Sequence, residues 1–191
     1  MSDSFSLGVD DEHTNDDFSI SLVQRLRQGD DDAGQKLQDL YRTTLVRFAC
    51  RYLGDVHEAE DAVQDVFASI LTSSAEPQDF RLWAYRIARN LCLNRLRSTS
   101  RRKDGLLLST SFDVAAERTG ALTGIVRAED ARELAATLDK LSEAQREVLV
   151  LRYFEGLGRD EIAAVLELPV SVVKSRLFEG INRLRHLKKG E

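Results

Sequence analysis

Apolar residues recur every three or four positions along most of this chain, and that spacing predicts amphipathic helices. In the N-terminal half the pattern predicts a short helix from Leu22 and three longer ones. Gly54 is expected to end the second helix, and Asp55 is expected to cap the third. The predicted buried stripes are Ala33, Leu37, Leu40, Tyr41, Leu45, Phe48, Ala49 and Tyr52 in the second helix, Val56, Ala59, Val63, Val66, Phe67 and Ile70 in the third, and Trp83, Ile87, Ala88, Leu91 and Leu96 in the fourth.

Near the C-terminus the pattern changes to a short helix, a tight turn and a second helix. Ser142 and Gln145 predict a capping box at the start of a further helix, which precedes the helix-turn-helix. Pro169 marks the turn because proline is excluded from helix interiors. The last helix has a predicted buried stripe at Val173, Leu177, Ile181 and Leu184. This layout is typical of a helix-turn-helix whose second helix enters the DNA major groove. A solvated basic helix packed on a small bundle has the same pattern.

Two segments without this periodicity divide the chain. Residues 1–18 are acidic and polar, which predicts a disordered tail. Residues 99–126 are rich in Ser, Thr and Gly, and a loop of that length is unusual inside one compact domain. The expected fold class is therefore all-α, with two small helical domains at residues 19–98 and 127–189 joined by a flexible linker. The C-terminal domain contains the helix-turn-helix.

Charge is distributed unevenly along the chain. The formal net charge of −5 argues at first against a nucleic-acid partner. However, residues 1–19 carry acids and no Lys or Arg, whereas residues 81–103 carry arginines and no acid. Residues 171–190 are also mainly basic, with Glu179 as their one acid. Local basic faces of this kind indicate phosphate binding.

Composition excludes several classes of protein. No apolar run reaches the roughly 20 residues of a membrane span, and no signal peptide is evident, so a cytoplasmic protein without direct membrane insertion is expected. Cys50 and Cys92 fall in helical patterns and are expected to be reduced core residues. The sequence has no Cys/His cluster of zinc spacing, no nucleophile–base pair and no glycine-rich phosphate loop. We therefore predict no catalytic residue, no metal and no cofactor.

The predicted fourth helix combines the only tryptophan of the chain with its densest run of arginines. Trp83 and Tyr85 stand among Arg81, Arg86 and Arg89, a combination that suits stacking of unpaired bases beside a phosphate track. For Trp83 alone, a core position is at least as good an interpretation. The cluster as a whole favours nucleic acid.

Three segments, taken together, resemble an RNA polymerase sigma factor of the extracytoplasmic-function (ECF) class. They are AEDAVQDVF at residues 59–67, FRLWAYRIARN at 80–90 with Asn94, Arg95 and Arg97 beyond it, and LS-x-x-QREV at 141–148 followed by EIA at 161–163 and VKSRL at 173–177. Each segment is modest alone, but their order and spacing span nearly all the folded chain.

The resemblance implies roles by position. It implies that the third helix binds core RNA polymerase, that the fourth helix opens and reads the −10 element of promoter DNA, and that the helix-turn-helix reads the −35 element. The implied polymerase-binding residues are Glu60, Asp61, Gln64 and Asp65. Those implied for −10 DNA are Phe80, Trp83, Tyr85, Arg86, Arg89, Asn90, Asn94 and Arg97, and those for −35 DNA are Ser171, Lys174, Ser175, Arg176, Phe178 and Arg183. An anti-sigma factor is a further implied partner.

Three residues of the helix-turn-helix depart from the family pattern. Glu167 stands where the family often has Gly, which predicts an altered turn geometry. Glu179 and Gly180 stand where a basic residue and Ala are common. Glu179 weakens the positive face, and Gly180 costs about 1 kcal/mol of helix propensity relative to Ala.

Other functional classes fit the sequence less well. A stand-alone helix-turn-helix regulator of duplex DNA would leave the acidic face at residues 60–65 and the aromatic–arginine helix without a role. An enzyme with an appended DNA-binding domain would need a catalytic site that the sequence does not offer. An initiation factor without catalytic chemistry accounts for all three segments.

Overall fold

The computed structural model describes residues 9–100, 138 and 140–189. Seven helices lie in these residues, and no strand does, which confirms the all-α prediction. The helices are α1 Val9–Arg27, α2 Asp31–Leu53, α3 Val56–Thr72, α4 Phe80–Ser100, α5 Glu143–Tyr153, α6 Arg159–Leu166 and α7 Val170–Lys189. The predicted linker falls on residues that the structure does not describe, apart from Thr99 and Ser100 at the end of α4.

Helices α1 to α4 form the N-terminal half, in which α2 packs against the other three. Local signals set the helix ends: the side chain of Asp30 accepts a hydrogen bond from the Ala33 N–H at 3.2 Å. Asp55 likewise accepts from the Glu58 N–H at 2.9 Å, and Gly54 ends α2 with a φ of 73°. The predicted capping role of Asp55 and stop at Gly54 are therefore confirmed.

Two expectations for the N-terminal half are wrong. Helix α1 spans Val9–Arg27, so it begins well before the short helix predicted from Leu22. Leu40, predicted to be buried, is 44% exposed because it lies at the edge of the α2 stripe.

Helices α5 to α7 form the C-terminal half. The predicted capping box is present: Ser142 Oγ accepts from the Gln145 N–H, and Gln145 Oε1 accepts from the Ser142 N–H, both at 3.3 Å. Ile162 and Leu166 of α6 and Val173 and Leu177 of α7 are buried together. The stripe predicted for the last helix is thus confirmed at Val173 and Leu177, and Ile181 and Leu184 pack partly buried against the same core.

The turn between α6 and α7 is made without glycine. Glu167 adopts a left-handed conformation, with φ 55° and ψ 45°, and its N–H donates to the Ala163 carbonyl. Leu168 donates to the same carbonyl at 3.0 Å. Because this is the conformation that glycine usually supplies after a helix, the expected alteration of the turn is not seen.

Gly180 has a packing role that helix propensity did not indicate. It is buried, and a Cβ at this position would lie 3.0 Å from Leu149 Cδ1 and 3.5 Å from Gln145 Cβ. The missing side chain therefore lets α7 approach α5 closely. This contact fixes the angle at which the rest of α7 projects.

The two halves contact each other directly. Helix α6 packs against α4, and two acidic side chains, one on α5 and one just after it, enter the surface formed by α2 and α4. The aromatic–arginine helix therefore lies at the junction between the halves.

Candidate nucleic-acid interface

Helix α7 presents one continuous polar face to solvent. Ser171, Lys174, Ser175 and Phe178 are exposed and follow one another at helical spacing, so they share this face. Phe178 is 69% exposed, which is unusual for a large apolar side chain and suits contact with a partner. Hydroxyl, ammonium and aromatic side chains on one exposed helix face suit contact with a DNA major groove.

The two arginines predicted for the same role lie elsewhere on α7. Arg176 and Arg183 are seven positions apart and so share a face of their own, roughly 160–180° around the helix from Lys174. Arg176 is half-buried and Arg183 is exposed. They therefore lie outside the face that contains Lys174 and Phe178.

Glu179 affects the face of α7 that contains Lys174 and Ser175 through a hydrogen bond as well as through its charge. The Ser175 hydroxyl donates to Glu179 Oε1 at 2.8 Å, and Gln145 Nε2 donates to the other carboxylate oxygen at 3.4 Å. Ser175 is therefore already engaged. A base contact by Ser175 would have to replace this bond.

Residues outside α7 extend its basic surface. A cleft of about 570 Å³ is lined by Lys174, Phe178 and three residues that sequence reasoning did not single out, Arg152, Tyr153 and Arg159. Arg152 is held by a bond from its Nη1 to the Leu157 carbonyl at 2.9 Å, and Tyr153 is 58% exposed. Arg152 and Tyr153 precede the bend at Gly156 and so lie outside the helix-turn-helix motif, whereas Arg159 is the first residue of α6 and lies within it.

The aromatic residues of α4 are buried. Phe80 is fully buried between Tyr41, at 4.8 Å between ring centroids, and Trp83, at 6.0 Å. Trp83 is only 7% exposed, and Tyr85 is 3% exposed. The packing interpretation of Trp83 therefore describes this structure, and DNA contact by these three rings stays a prediction that requires a change in packing.

The first two arginines predicted for −10 DNA are paired with acids of the C-terminal half. Arg86 lies 3.6 Å from the Glu167 carboxylate. Arg89 donates to both oxygens of Glu147, at 2.6 and 3.1 Å. Burial lowers the pKa of Arg89, but the hydrogen bond to Glu147 and its charge outweigh that effect and raise the pKa overall.

The last turns of α4 are open to solvent. Asn90, Asn94 and Arg97 are exposed and, at intervals of four and three residues, lie on one face of the helix. Arg97 Nη1 donates weakly to Asn94 Oδ1 at 3.5 Å. This face offers amide and guanidinium groups without any rearrangement.

Helix α3 presents the predicted acidic–amide face, but its four residues are not equivalent. Glu60 pairs with Arg42 of α2 at 3.3 Å, and Asp65 pairs with Arg95 of α4. Asp61 and Gln64, between them, are exposed. The exposed centre of this face is therefore one carboxylate and one amide, flanked by two ion pairs that tie α3 to its neighbours.

Features that would indicate other chemistry are few in the described residues. They contain no group of three His, Cys, Asp or Glu side chains placed to hold a metal ion. None of their helices is long and apolar enough to cross a membrane. Cys92 is fully buried, and burial raises the pKa of its thiol to about 12, so it is a packing residue at neutral pH.

Comparison with known proteins identifies both halves. Residues 37–102 match the model of sigma-70 region 2, and residues 131–184 match that of sigma-70 region 4. The ECF RNA polymerase sigma factor SigW of Bacillus subtilis is 30% identical over 175 residues, which cover 85% of this chain and 92% of SigW. The ECF RNA polymerase sigma-E factor of Escherichia coli K12 is 32% identical over 169 residues, covering 82% and 87%.

Solved structures agree with the sequence comparison. CnrH, in complex with the cytosolic domain of CnrY, is 26% identical with a TM-score of 0.64, over 91% of this chain and 99% of CnrH. The sigma factor RpoE, in complex with the anti-sigma factor NepR from Bartonella quintana, is 25% identical with a TM-score of 0.59, over 80% and 95%. The chain therefore belongs to the extracytoplasmic-function sigma factors of RNA polymerase, which direct transcription initiation.

Proposed function

We propose that this sigma factor contacts its partners through three separate surfaces. The exposed pair Asp61 and Gln64 on α3 binds core RNA polymerase, α4 reads the −10 element, and the α7 face with Lys174 and Phe178 reads the −35 element. The chain supplies binding and positioning and no catalytic chemistry of its own. It works in the cytoplasm, where polymerase and chromosome are accessible to it.

The exposure of Asp61 and Gln64 carries the assignment of the polymerase surface. A carboxylate and an amide on a rigid helix suit a partner surface with basic side chains, because charge complementarity steers association and fixes register. Arg42 and Arg95 hold the flanking acids on α3, so the face keeps its shape before binding. Pre-ordered side chains lower the entropic cost of association.

The test is a charge reversal with a matched control. Asp61→Arg with Gln64→Arg places two cations on the proposed surface, and we expect the variant to lose retention by core polymerase in gel filtration. Asp39→Arg with Gln38→Arg makes the same chemical changes at exposed positions of α2 and should leave retention intact. Retention of the α3 variant equal to that of the control would refute the assignment.

The main alternative is a regulator that binds duplex DNA without polymerase. It shares the α7 surface, so DNA binding does not distinguish the two functions. Failure of core polymerase to retain the wild-type chain would favour this alternative.

An anti-sigma factor is the proposed inhibitory partner. RpoE was solved with the anti-sigma factor NepR, and this chain aligns with 95% of RpoE. Such a partner of this chain should displace it from the polymerase fraction in the same gel filtration.

A further inference from the structure

Glu155, just after α5, is buried against the N-terminal half. Its side chain has no exposed area, and the Tyr85 hydroxyl donates to its Oε2 at 2.7 Å. The guanidinium group of Arg51 contacts the same carboxylate, and that of Arg47 lies 3.7 Å away. Arg81 donates to the Glu155 backbone carbonyl at 2.9 Å. One residue of the C-terminal half thus meets three arginines and a tyrosine of the other half.

Glu147, two turns earlier on α5, makes a second contact of the same kind. Tyr52 donates to its Oε1 at 2.8 Å, and Arg89 donates to both of its oxygens. Its side chain is 7% exposed. Burial and the neighbouring charge of Glu147 raise the pKa of Tyr52 well above its ordinary value, so the phenol remains a donor at neutral pH.

These carboxylates are stable in the junction only because their partners compensate for the loss of water. A buried ion pair contributes little net stability, but removing one member leaves the other charge buried and unpaired, which is strongly destabilising. Burial lowers the pKa of Arg51 to about 10, so its guanidinium is still cationic at neutral pH. An amide in place of the Glu155 carboxylate would therefore favour separation of the halves, in which water solvates the arginines.

The junction covers one proposed DNA surface and leaves the other open. Tyr85 and Arg89 of the proposed −10 surface are bonded to Glu155 and Glu147, and Arg86 pairs with Glu167. In the C-terminal half, Lys174 and Phe178 remain exposed. The two surfaces thus differ in accessibility within one structure.

We propose that Glu147 and Glu155 form an autoinhibitory latch between the two halves of the free sigma factor. The latched chain exposes its −35 surface but withholds Arg86 and Arg89 of its −10 surface until the halves separate. This proposal rests on the proposed DNA roles of α4 and α7. The apparent affinity for unpaired −10 bases is then the intrinsic affinity multiplied by the fraction of open molecules.

The test compares free full-length chains. Glu147→Gln with Glu155→Gln keeps side-chain size and removes both charges, and Glu143→Gln makes the same change at an exposed position of α5. Small-angle X-ray scattering gives the radius of gyration. Fluorescence anisotropy gives the affinity for a fluorescein-labelled randomised single-stranded DNA oligonucleotide and for its randomised duplex. Circular dichroism verifies that each variant keeps its helices.

We expect the double variant to expand and to bind the single strand at least about tenfold more tightly, because the open fraction rises. Its duplex affinity should stay within about twofold of wild type, and Glu143→Gln should match wild type in every measurement. Tyr52→Phe removes one hydrogen bond to Glu147 from the N-terminal half. It should also increase the radius of gyration and the single-strand affinity, and it replaces the double variant as the test if that variant loses helical structure.

Two results would overturn the latch. Unchanged radii of gyration in the folded double variant and in Tyr52→Phe would show that these bonds do not hold the halves together. Expansion without tighter single-strand binding would show that the junction does not withhold a DNA surface. Scattering needs no polymerase, so failure of core polymerase to retain the wild-type chain would refute the proposed function separately.

Discussion

Glu167 holds the turn that orients α7, and its left-handed conformation has a measurable cost. A non-glycine residue in this region costs roughly 1–2 kcal/mol relative to glycine. The greater conformational freedom of glycine in the unfolded chain offsets about 0.4–1 kcal/mol of that difference. We therefore expect Glu167→Gly to be more stable than Glu167→Ala by about 0.5–1 kcal/mol.

Comparing these two variants removes the contribution of the Glu167 carboxylate. Its contact with Arg86 at 3.6 Å joins side chains that are 63% and 41% exposed, so it contributes at most about 1 kcal/mol, and both variants lose it equally. Arg86→Ala in each background checks that equality by a double-mutant cycle.

Urea unfolding followed by circular dichroism provides the assay. With a slope of about 2 kcal/mol per molar urea, the expected difference moves the midpoint by roughly 0.3–0.5 M. Equal midpoints, or a more stable alanine variant, would show that position 167 is not left-handed and that the turn has a different geometry.

Two further predictions concern DNA specificity and alkaline pH. Lys174→Ala should weaken duplex binding by about 1–3 kcal/mol and change the base preference, whereas Arg176→Ala should weaken binding uniformly across sequences. Selection from a randomised duplex library distinguishes these outcomes. The reversed pattern would contradict the two faces assigned to α7. Because burial and Glu147 raise the pKa of Tyr52, its stabilising effect should be complete below about pH 10 and lost as pH rises through the raised value. This can be checked by following tyrosinate absorbance as pH is raised in the wild type and in Tyr52→Phe. The variant should lack only the part of the absorbance rise that coincides with unfolding. A smaller rise at lower pH, before unfolding, would contradict the raised pKa of Tyr52.

The helices and their ends were predictable because their signals are local. Asp55 and Gly54 act on residues within one turn, and the Ser142–Gln145 box spans four positions. Helical spacing likewise located the buried stripe of α7. The error at Val9 arose because a polar, acidic segment lacks an apolar stripe even where the backbone is helical.

The junction between the halves could not be predicted from the sequence. Tyr52 and Glu147 are 95 positions apart, and Tyr85 and Glu155 are 70 apart, and no local pattern encodes such pairs. Composition was also ambiguous on α4, because aromatic and arginine side chains suit both nucleic acid and a buried ionic junction. The resemblance of three segments identified the family where these patterns alone did not.

Transcription by core polymerase from a genomic template tests both the role of this chain in initiation and the proposed polymerase surface on α3. We expect defined RNA start sites when the wild-type chain is added, the same sites with Asp39→Arg and Gln38→Arg, and none with Asp61→Arg and Gln64→Arg. Start sites that persist with the α3 variant would contradict the proposed polymerase surface. Absence of defined start sites with the wild-type chain would contradict its role as the factor that directs initiation.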